Sequence, residues 1–345
     1  MIKKICFFTT HFDFPRQRYL SYYEKILPKN VESFLFCLEE DKAKFKTKII
    51  KKMPYSSKFL MPFILRKFYK ENEIDVVINL SGMANIALNL ALSTMFTKTK
   101  NIFYLSGNPK FYGKDLVFFF TQFFTDRFLV SAKDITEKIK KILFFSQNKI
   151  FYLPLTVDTS LYKPESKTKA RRKLGLNKKD KIIIFAGRIS YLKGSDLILE
   201  IIKRNPDKKF ILIGQLMDEN YKNKKFNNLT LIPSVNANEL VDYYNASDLC
   251  LFLSRVEGFG LVPREAMACK IPALVSDIES LRMIEPAIKV PLNIGKAQEA
   301  LDYFFKLDKK EKNSLAKKSR EFVLKECSEQ NEDVKKKYLK YFLEF

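Results

Sequence analysis

The chain has 345 residues, 46% hydrophobic and 29% charged, a composition that excludes a largely disordered protein and a length that calls for two domains rather than one core. No apolar run reaches the roughly 18 to 20 residues a membrane-spanning helix needs, because the richest stretch, 116–130, is broken by Gln122, Asp126 and Arg127. The net charge of +23 is spread over both halves, with 27 Lys/Arg against 15 Asp/Glu in residues 1–166 and 35 against 24 in residues 167–345. A general compositional bias is therefore at least part of the answer to what the charge means.

The first residues, Met1-Ile2-Lys3-Lys4-Ile5-Cys6-Phe7-Phe8, carry an apolar part shorter than a secretory leader requires and are expected to form a first buried strand. From there, short β-rich runs alternate with helical patterns to the end of the chain. In the first half the runs are 5–9, 33–38, 76–80, 102–105, 128–131 and 150–153; in the second they are 182–186, 210–214, 229–233, 249–253, 273–276 and 288–290. The alternation predicts an α/β protein with two parallel sheets. Pro164 and the polar run Glu165-Ser166-Lys167-Thr168-Lys169 suggest an exposed connection, which places domains at 1–166 and 167–345. The residues from Lys309 onward read as helices, the last a candidate to cross back to the first domain.

Five cysteines, Cys6, Cys37, Cys250, Cys269 and Cys327, are scattered without metal-ligand spacing, so neither a zinc site nor a disulfide framework is expected and a reducing cytoplasm fits. Glycine is scarce, and Gly187, Gly194, Gly214, Gly258 and Gly260 all fall at strand ends or helix starts of the second half, where open α/β sheets bind ligands. Neither a Gly-x-Gly-x-x-Gly after a first strand nor a Walker A motif is present.

Two segments carry the chemistry. Phe185-Ala186-Gly187-Arg188-Ile189-Ser190-Tyr191-Leu192-Lys193-Gly194 reads as a strand ending in a glycine turn with two cations before a helix, a receptor for a diphosphate. Glu257-Gly258-Phe259-Gly260-Leu261-Val262-Pro263-Arg264-Glu265 reads as a loop opening a helix, Pro263 suiting its first turn, with two carboxylates placed to bond sugar hydroxyls. The competing readings are a solvated basic loop and two acids that compensate a helix dipole.

Together these segments resemble the donor-binding half of retaining GT-B glycosyltransferases of the family 4 type, glycosyl transferases group 1, which carry an E-x7-E motif matched here by Glu257 and Glu265. The resemblance extends to Pro154-Leu155-Thr156-Val157-Asp158, Arg172-Lys173-Leu174-Gly175, Gly187-Arg188, Lys193-Gly194, Tyr244-Asn245-Ala246-Ser247-Asp248 and Glu265-Ala266-Met267-Ala268-Cys269, over residues 126–286. It implies two Rossmann-like domains facing each other across a cleft, the first for the acceptor and the second for the donor. It implies transfer of a hexose or N-acetylhexosamine from a UDP- or GDP-sugar to a glycan or lipid-linked acceptor with retention at the anomeric carbon, and no divalent metal. By the same resemblance Arg188 and Lys193 hold the diphosphate, Glu257 the sugar and Glu265 the ribose. Gly187, Gly214, Val235, Gly258, Phe259, Gly260, Leu261 and Val262 complete the donor site.

Where the family often has a glycine-rich loop after the first strand, this chain has Thr10-His11-Phe12-Asp13, and where the family often has His-Gly it has Ser106-Gly107. His11, Asp13 and Ser106 are therefore the candidates on the acceptor side. Lys270 and Ser280 also stand where the family commonly has glycine. A nucleotide-sugar epimerase on the same fold and a nucleic-acid-binding protein are the alternatives. Finally, residues 41–70 carry ten Lys/Arg and one acid. Their last part predicts a helix with Leu60, Ile64 and Phe68 on one side and Arg66, Lys67 and Lys70 on the other, suited to lie on an anionic cytoplasmic leaflet.

Overall fold

In the computed structural model of the chain, residues 2–12, 20, 22–40, 48–49, 60–80, 84–105, 116–221 and 226–345 are described. They belong to two compact units, residues 1–155 with 332–345, and residues 156–331. The division falls between Leu155 and Thr156, ahead of the polar run near residue 166. The intervening segment packs with the second unit: Val157 bridges Ser328, and the Asn245 side chain binds the Glu165 amide and the Lys163 carbonyl.

The first unit is a wholly parallel sheet of seven strands in the order β3-β2-β1-β4-β5-β6-β7. The strands are β1 (Lys4–Phe12), β2 (Glu32–Glu40), β3 (Lys48–Ile49), β4 (Val76–Asn79), β5 (Lys100–Leu105), β6 (Arg127–Val130) and β7 (Ile150–Tyr152). Six were expected. The extra one, β3, is two residues long in the lysine-rich stretch and pairs with Phe34 and Leu35, too short to leave an apolar pattern. Ile5 to Phe8 of β1 are buried, as a central parallel strand covered on both faces requires.

The helix Met61–Glu71 forms with Pro62 in its first turn. Part of its apolar side is buried: Met61, Leu65, Phe68 and Tyr69 pack with Cys6, Phe8, Phe34, Phe36 and Val77 in one core. Arg66 does not face solvent freely either, since its guanidinium donates to the carbonyls of Leu92 and Ser93. Of the residues expected on the lipid-facing side, Phe68 is thus buried in this core and Ile64 packs partly against it, whereas Leu60 is 59% exposed. Residues 41–47 and 50–59 of the basic stretch lie outside the described residues. Among the described residues no helix is long and apolar enough to cross a membrane.

The last helix, Glu332–Leu343, belongs to the first unit. Tyr338 and Phe342 are buried among Phe7, Tyr22 and Tyr23 with ring centroids 5.3 to 6.3 Å apart, and the Tyr338 hydroxyl donates to the Pro154 carbonyl at 2.5 Å.

The second unit is a parallel sheet of six strands in the order β10-β9-β8-β11-β12-β13. These are β8 (Ile182–Ala186), β9 (Lys209–Ile213), β10 (Leu229–Ile232), β11 (Leu249–Phe252), β12 (Ala273–Ser276) and β13 (Ile288–Val290). Strand order reverses between β8 and β11, so the crevice beyond their carboxyl ends is the place where such a sheet receives a ligand. The matched motif Tyr244-Asn245-Ala246-Ser247-Asp248 is mainly architectural. Buried Arg171 binds the Ala246 carbonyl and the Asp248 carboxylate, which also accepts from the Ile182 amide at the start of β8.

Candidate functional site

The loops that follow β8 and β11 open side by side at the switch point, and each delivers one charged residue to the other. Lys193 Nζ lies 2.5 Å from Glu257 Oε2, both side chains being mostly covered. The same ammonium donates to the Val256 carbonyl at 3.3 Å and stands 5.8 Å from the centroid of the Phe252 ring. Gly194 permits this closeness. Its φ is +76°, and a Cβ there would meet the Leu253 carbonyl oxygen at 2.0 Å.

Three residues without a motif hold the two loops together. Arg255 places its two terminal nitrogens on the two oxygens of Asp196 at 2.6 and 2.7 Å, with its guanidinium 3.8 Å from the Tyr191 ring centroid. Hydrogen bonding to Asp196 pushes the Arg255 pKa above its ordinary value. The Arg255 amide donates to the Leu192 carbonyl at 2.9 Å, and Ser254 Oγ donates to the carbonyls of Leu192 and Val256. A planar, bidentate, stacked arginine is a rigid clamp.

The loop after β9 joins from the other side. Ile189 and Leu216 form a bridge, and the Gly214 α-carbon lies so near the Gly187 carbonyl that a Cβ would stand 2.1 Å from that oxygen. Gly214 is therefore required by the approach of two strand ends, in addition to any room it leaves for a ligand. Arg188, between them, is exposed and makes no ion pair with any described residue.

The third component is the helix Leu261–Ala268, entered through Gly260 at φ +76°. Arg264 is 4% exposed; it donates to the carbonyls of Phe259 and of Gly260, the latter at 3.1 Å, and its guanidinium lies 3.8 Å from the Phe259 ring centroid. In a trans peptide the N–H points away from the carbonyl of the same unit, so holding these two carbonyls turns the amides of Gly260 and Leu261 outward. With the first amides of the helix, which have no partner within it, they form a concentration of donors suited to an anion. Glu265 is buried on this helix and accepts from the Tyr244 hydroxyl at 3.2 Å. Val235 is half-buried beyond β10, next to exposed Ser234.

The structure thus brings together Lys193 with Glu257 and Gly187 with Gly214, leaves Arg188 exposed beside them, and sets Glu265 on Tyr244. Sequence reasoning did not find Arg255, Asp196, Ser254 or Arg264 as supports; Arg255, Asp196 and Ser254 act through contacts between the two loops that no local spacing announces, whereas Arg264 binds its own loop four and five residues back. On the acceptor side, His11 lies near the end of β1 opposite Glu39, whereas its side chain, Asp13 and Ser106 lie outside the described residues.

Residues 166–322 match the family model described as Glycosyl transferases group 1, a span that contains all three components above. D-inositol 3-phosphate glycosyltransferases of Segniliparus rotundus and Rhodococcus jostii are 30% and 28% identical over 147 and 174 residues, covering 39% and 46% of this chain. Those alignments span only 33% and 38% of the relatives' own lengths. Among solved structures, the Anabaena protein HepE in complex with UDP and glucose superposes with a TM-score of 0.80 at 12% identity over 100% of both chains. Sucrose-phosphate synthase from Thermosynechococcus elongatus gives 0.77 at 15% identity over 97% of both. WaaG, a glycosyltransferase involved in lipopolysaccharide biosynthesis, gives 0.74 at 13% over 99% of this chain and 100% of that one. At these identities the likeness is one of fold, and that fold is GT-B, as expected from the motifs.

Proposed function

We propose that the chain is a glycosyltransferase that moves a hexose or N-acetylhexosamine from a nucleoside-diphosphate sugar to a hydroxyl of a glycan or lipid-linked acceptor, with retention at the anomeric carbon, in the cytoplasm. The observation that carries the reading is the Lys193–Glu257 pair at the switch point, beside exposed Arg188 and the outward amides before Leu261. Arg188, Lys193 and those amides receive the diphosphate. Glu257, released from Lys193 when the diphosphate takes that cation, accepts from the sugar hydroxyls, and Glu265 accepts from the ribose. In the transfer the bond from the anomeric carbon to the phosphate oxygen breaks and a bond to the acceptor oxygen forms on the same face. The acceptor proton passes to the departing phosphate, whose growing charge the two cations stabilise.

HepE, which shares this fold and was solved with UDP and glucose bound, supports uridine over guanosine as the base. Positive charge from the chain itself makes a divalent metal unnecessary in this scheme, so activity should persist in EDTA. The epimerase and nucleic-acid readings are not favoured, since the matched family model and the relatives are glycosyltransferases.

Calorimetric titration with UDP, GDP and UDP-glucose tests the proposal. UDP should bind, and Glu265→Gln should weaken it roughly ten- to hundredfold, the worth of a buried charged hydrogen bond. No heat from any nucleotide, or equal affinity in the Glu265 variant, would count against the assignment.

A further inference from the structure

The loops that lead into β5, β6 and β7 carry five phenylalanines that the core does not use. Phe96 is 91% exposed, and Phe120, Phe123, Phe144 and Phe145 are between 46% and 61% exposed. The last four form one continuous patch around half-buried Phe119. Ring centroids are 5.7 Å apart for Phe119 and Phe120, 5.7 Å for Phe123 and Phe145, and 4.0 Å for Phe144 and Phe145. Their common location follows from the topology. β5, β6 and β7 are parallel neighbours with Ile102 opposite Arg127 and Phe128 opposite Ile150, so the loops entering them emerge along one edge.

This edge is built, since Gln122 Oε1 accepts from the Phe145 amide, Gln122 Nε2 donates to the Phe119 carbonyl, and buried Ser146 Oγ donates to the Gln122 carbonyl. Phe96 sits at φ +60°, a conformation uncommon for an aromatic residue, with its ring in solvent. Scattered exposed rings are ordinary, but a contiguous group on a rigid edge marks an interaction surface.

Charge identifies the partner. Lys98 and Lys141 are exposed on the same loops and helix end, and Lys149 donates to the Thr125 carbonyl beside the patch. The neighbouring carboxylates Asp126 and Glu137 are already matched, by Lys100 and Lys140. The rings are thus surrounded by surplus positive charge. A second copy would bring like-charged faces together in a chain of net charge +23. An anionic bilayer offers an acyl boundary for rings and headgroups for lysines.

We propose that this edge docks on an anionic lipid surface, with Phe96, Phe120, Phe123, Phe144 and Phe145 at the headgroup–acyl boundary and Lys98, Lys141 and Lys149 on the headgroups. It is a different surface from the Met61–Glu71 helix, and it does not depend on the reading of the donor site.

The test is co-sedimentation of the full chain with phosphatidylcholine vesicles, with and without about one third phosphatidylglycerol. Wild type should pellet with the anionic vesicles only. The variant F120S/F123S/F144S/F145S should partition at least about tenfold less, and K98Q/K141Q/K149Q should bind the anionic vesicles more weakly at low salt and with less dependence on salt than wild type. Phe145→Ser alone, the mildest change to the fold, should already reduce binding, whereas Phe63→Ser on the other helix should not. Wild type left in the supernatant, or a four-ring variant that pellets like wild type while melting normally, overturns the proposal. So does lipid-free self-association that the ring variant abolishes, which would assign the face to a second copy.

Discussion

Arg255 grips both oxygens of Asp196 while covering the Tyr191 ring, and so it holds the loop that carries Lys193 against the loop that carries Glu257. Arg255→Ala should lower turnover about tenfold or more through a small displacement of that pair. It should cost only about 1 kcal/mol of stability, because the clamp is partly exposed. Arg255→Lys should not restore turnover, since an ammonium cannot reproduce the fork; steady-state kinetics and urea melts on the three proteins decide it. A second expectation concerns competition. In the ligand-free state Glu257 occupies Lys193, so Glu257→Gln should bind a bare nucleoside diphosphate about two- to tenfold more tightly while turning over the full donor far more slowly. Weaker UDP binding by that variant in calorimetry would contradict the exchange of partners. Lys193 and Glu257 were legible because their local motifs are short and ordered. Arg255 and Asp196 were not, being joined across 59 positions of sequence by a contact that only the adjacency of β8 and β11 creates.

The helix Leu261–Ala268 closes with a residue of the wrong kind. Lys270 has φ +62°, and the Ile271 amide donates to the Ala266 carbonyl while the Lys270 amide donates to that of Met267, a left-handed termination that glycine usually supplies. Lys270→Gly should therefore stabilise the second unit by about 1 kcal/mol, read as a rise in its thermal midpoint. Gly214→Ala should do the opposite, because backbone and not a flexible side chain occupies the space its Cβ needs; nucleotide binding should fall with the melt. The longer strands were readable since buried parallel strands are nearly continuous apolar runs, as in Ile182 to Ala186. β3 was not, because two residues among lysines show neither a run nor an alternation. The helix Met61–Glu71 was placed correctly, but its packing on the sheet through Met61, Leu65, Phe68 and Tyr69 was not legible: amphipathicity says that one side is covered, and the aromatic face that covers it is absent from any local window.

Across the whole chain, burial pushes the thiols of Cys6, Cys250 and Cys269 far above their ordinary value of 9.0 and that of Cys327 up to about 11. Folded, these thiols stay protonated while the unfolded chain ionises near its ordinary value. Their contribution to stability is thus complete below about pH 9 and declines as pH rises through and beyond it. Alkylation by iodoacetamide at about pH 8, mapped by mass spectrometry, should spare Cys6, Cys250, Cys269 and Cys327 until denaturant is added; ready labelling of Cys250 in the native protein would contradict its burial. Pro164 and the polar residues after it announce an exposed connection but not the side on which the segment packs. The last helix, a candidate from the sequence to cross back to the first domain, does belong to the first unit, where Tyr338 and Phe342 lie among Phe7, Tyr22 and Tyr23. Because it completes the first unit, that unit is assembled from two segments of this chain, residues 1–155 and 332–345. During synthesis the intervening unit, residues 156–331, emerges entire before the missing piece arrives. At the ribosome's pace of about 5 to 20 residues per second, the nascent first sheet waits on the order of ten seconds with an aromatic seam uncovered, a window in which apolar rings that the finished protein hides are open to its neighbours.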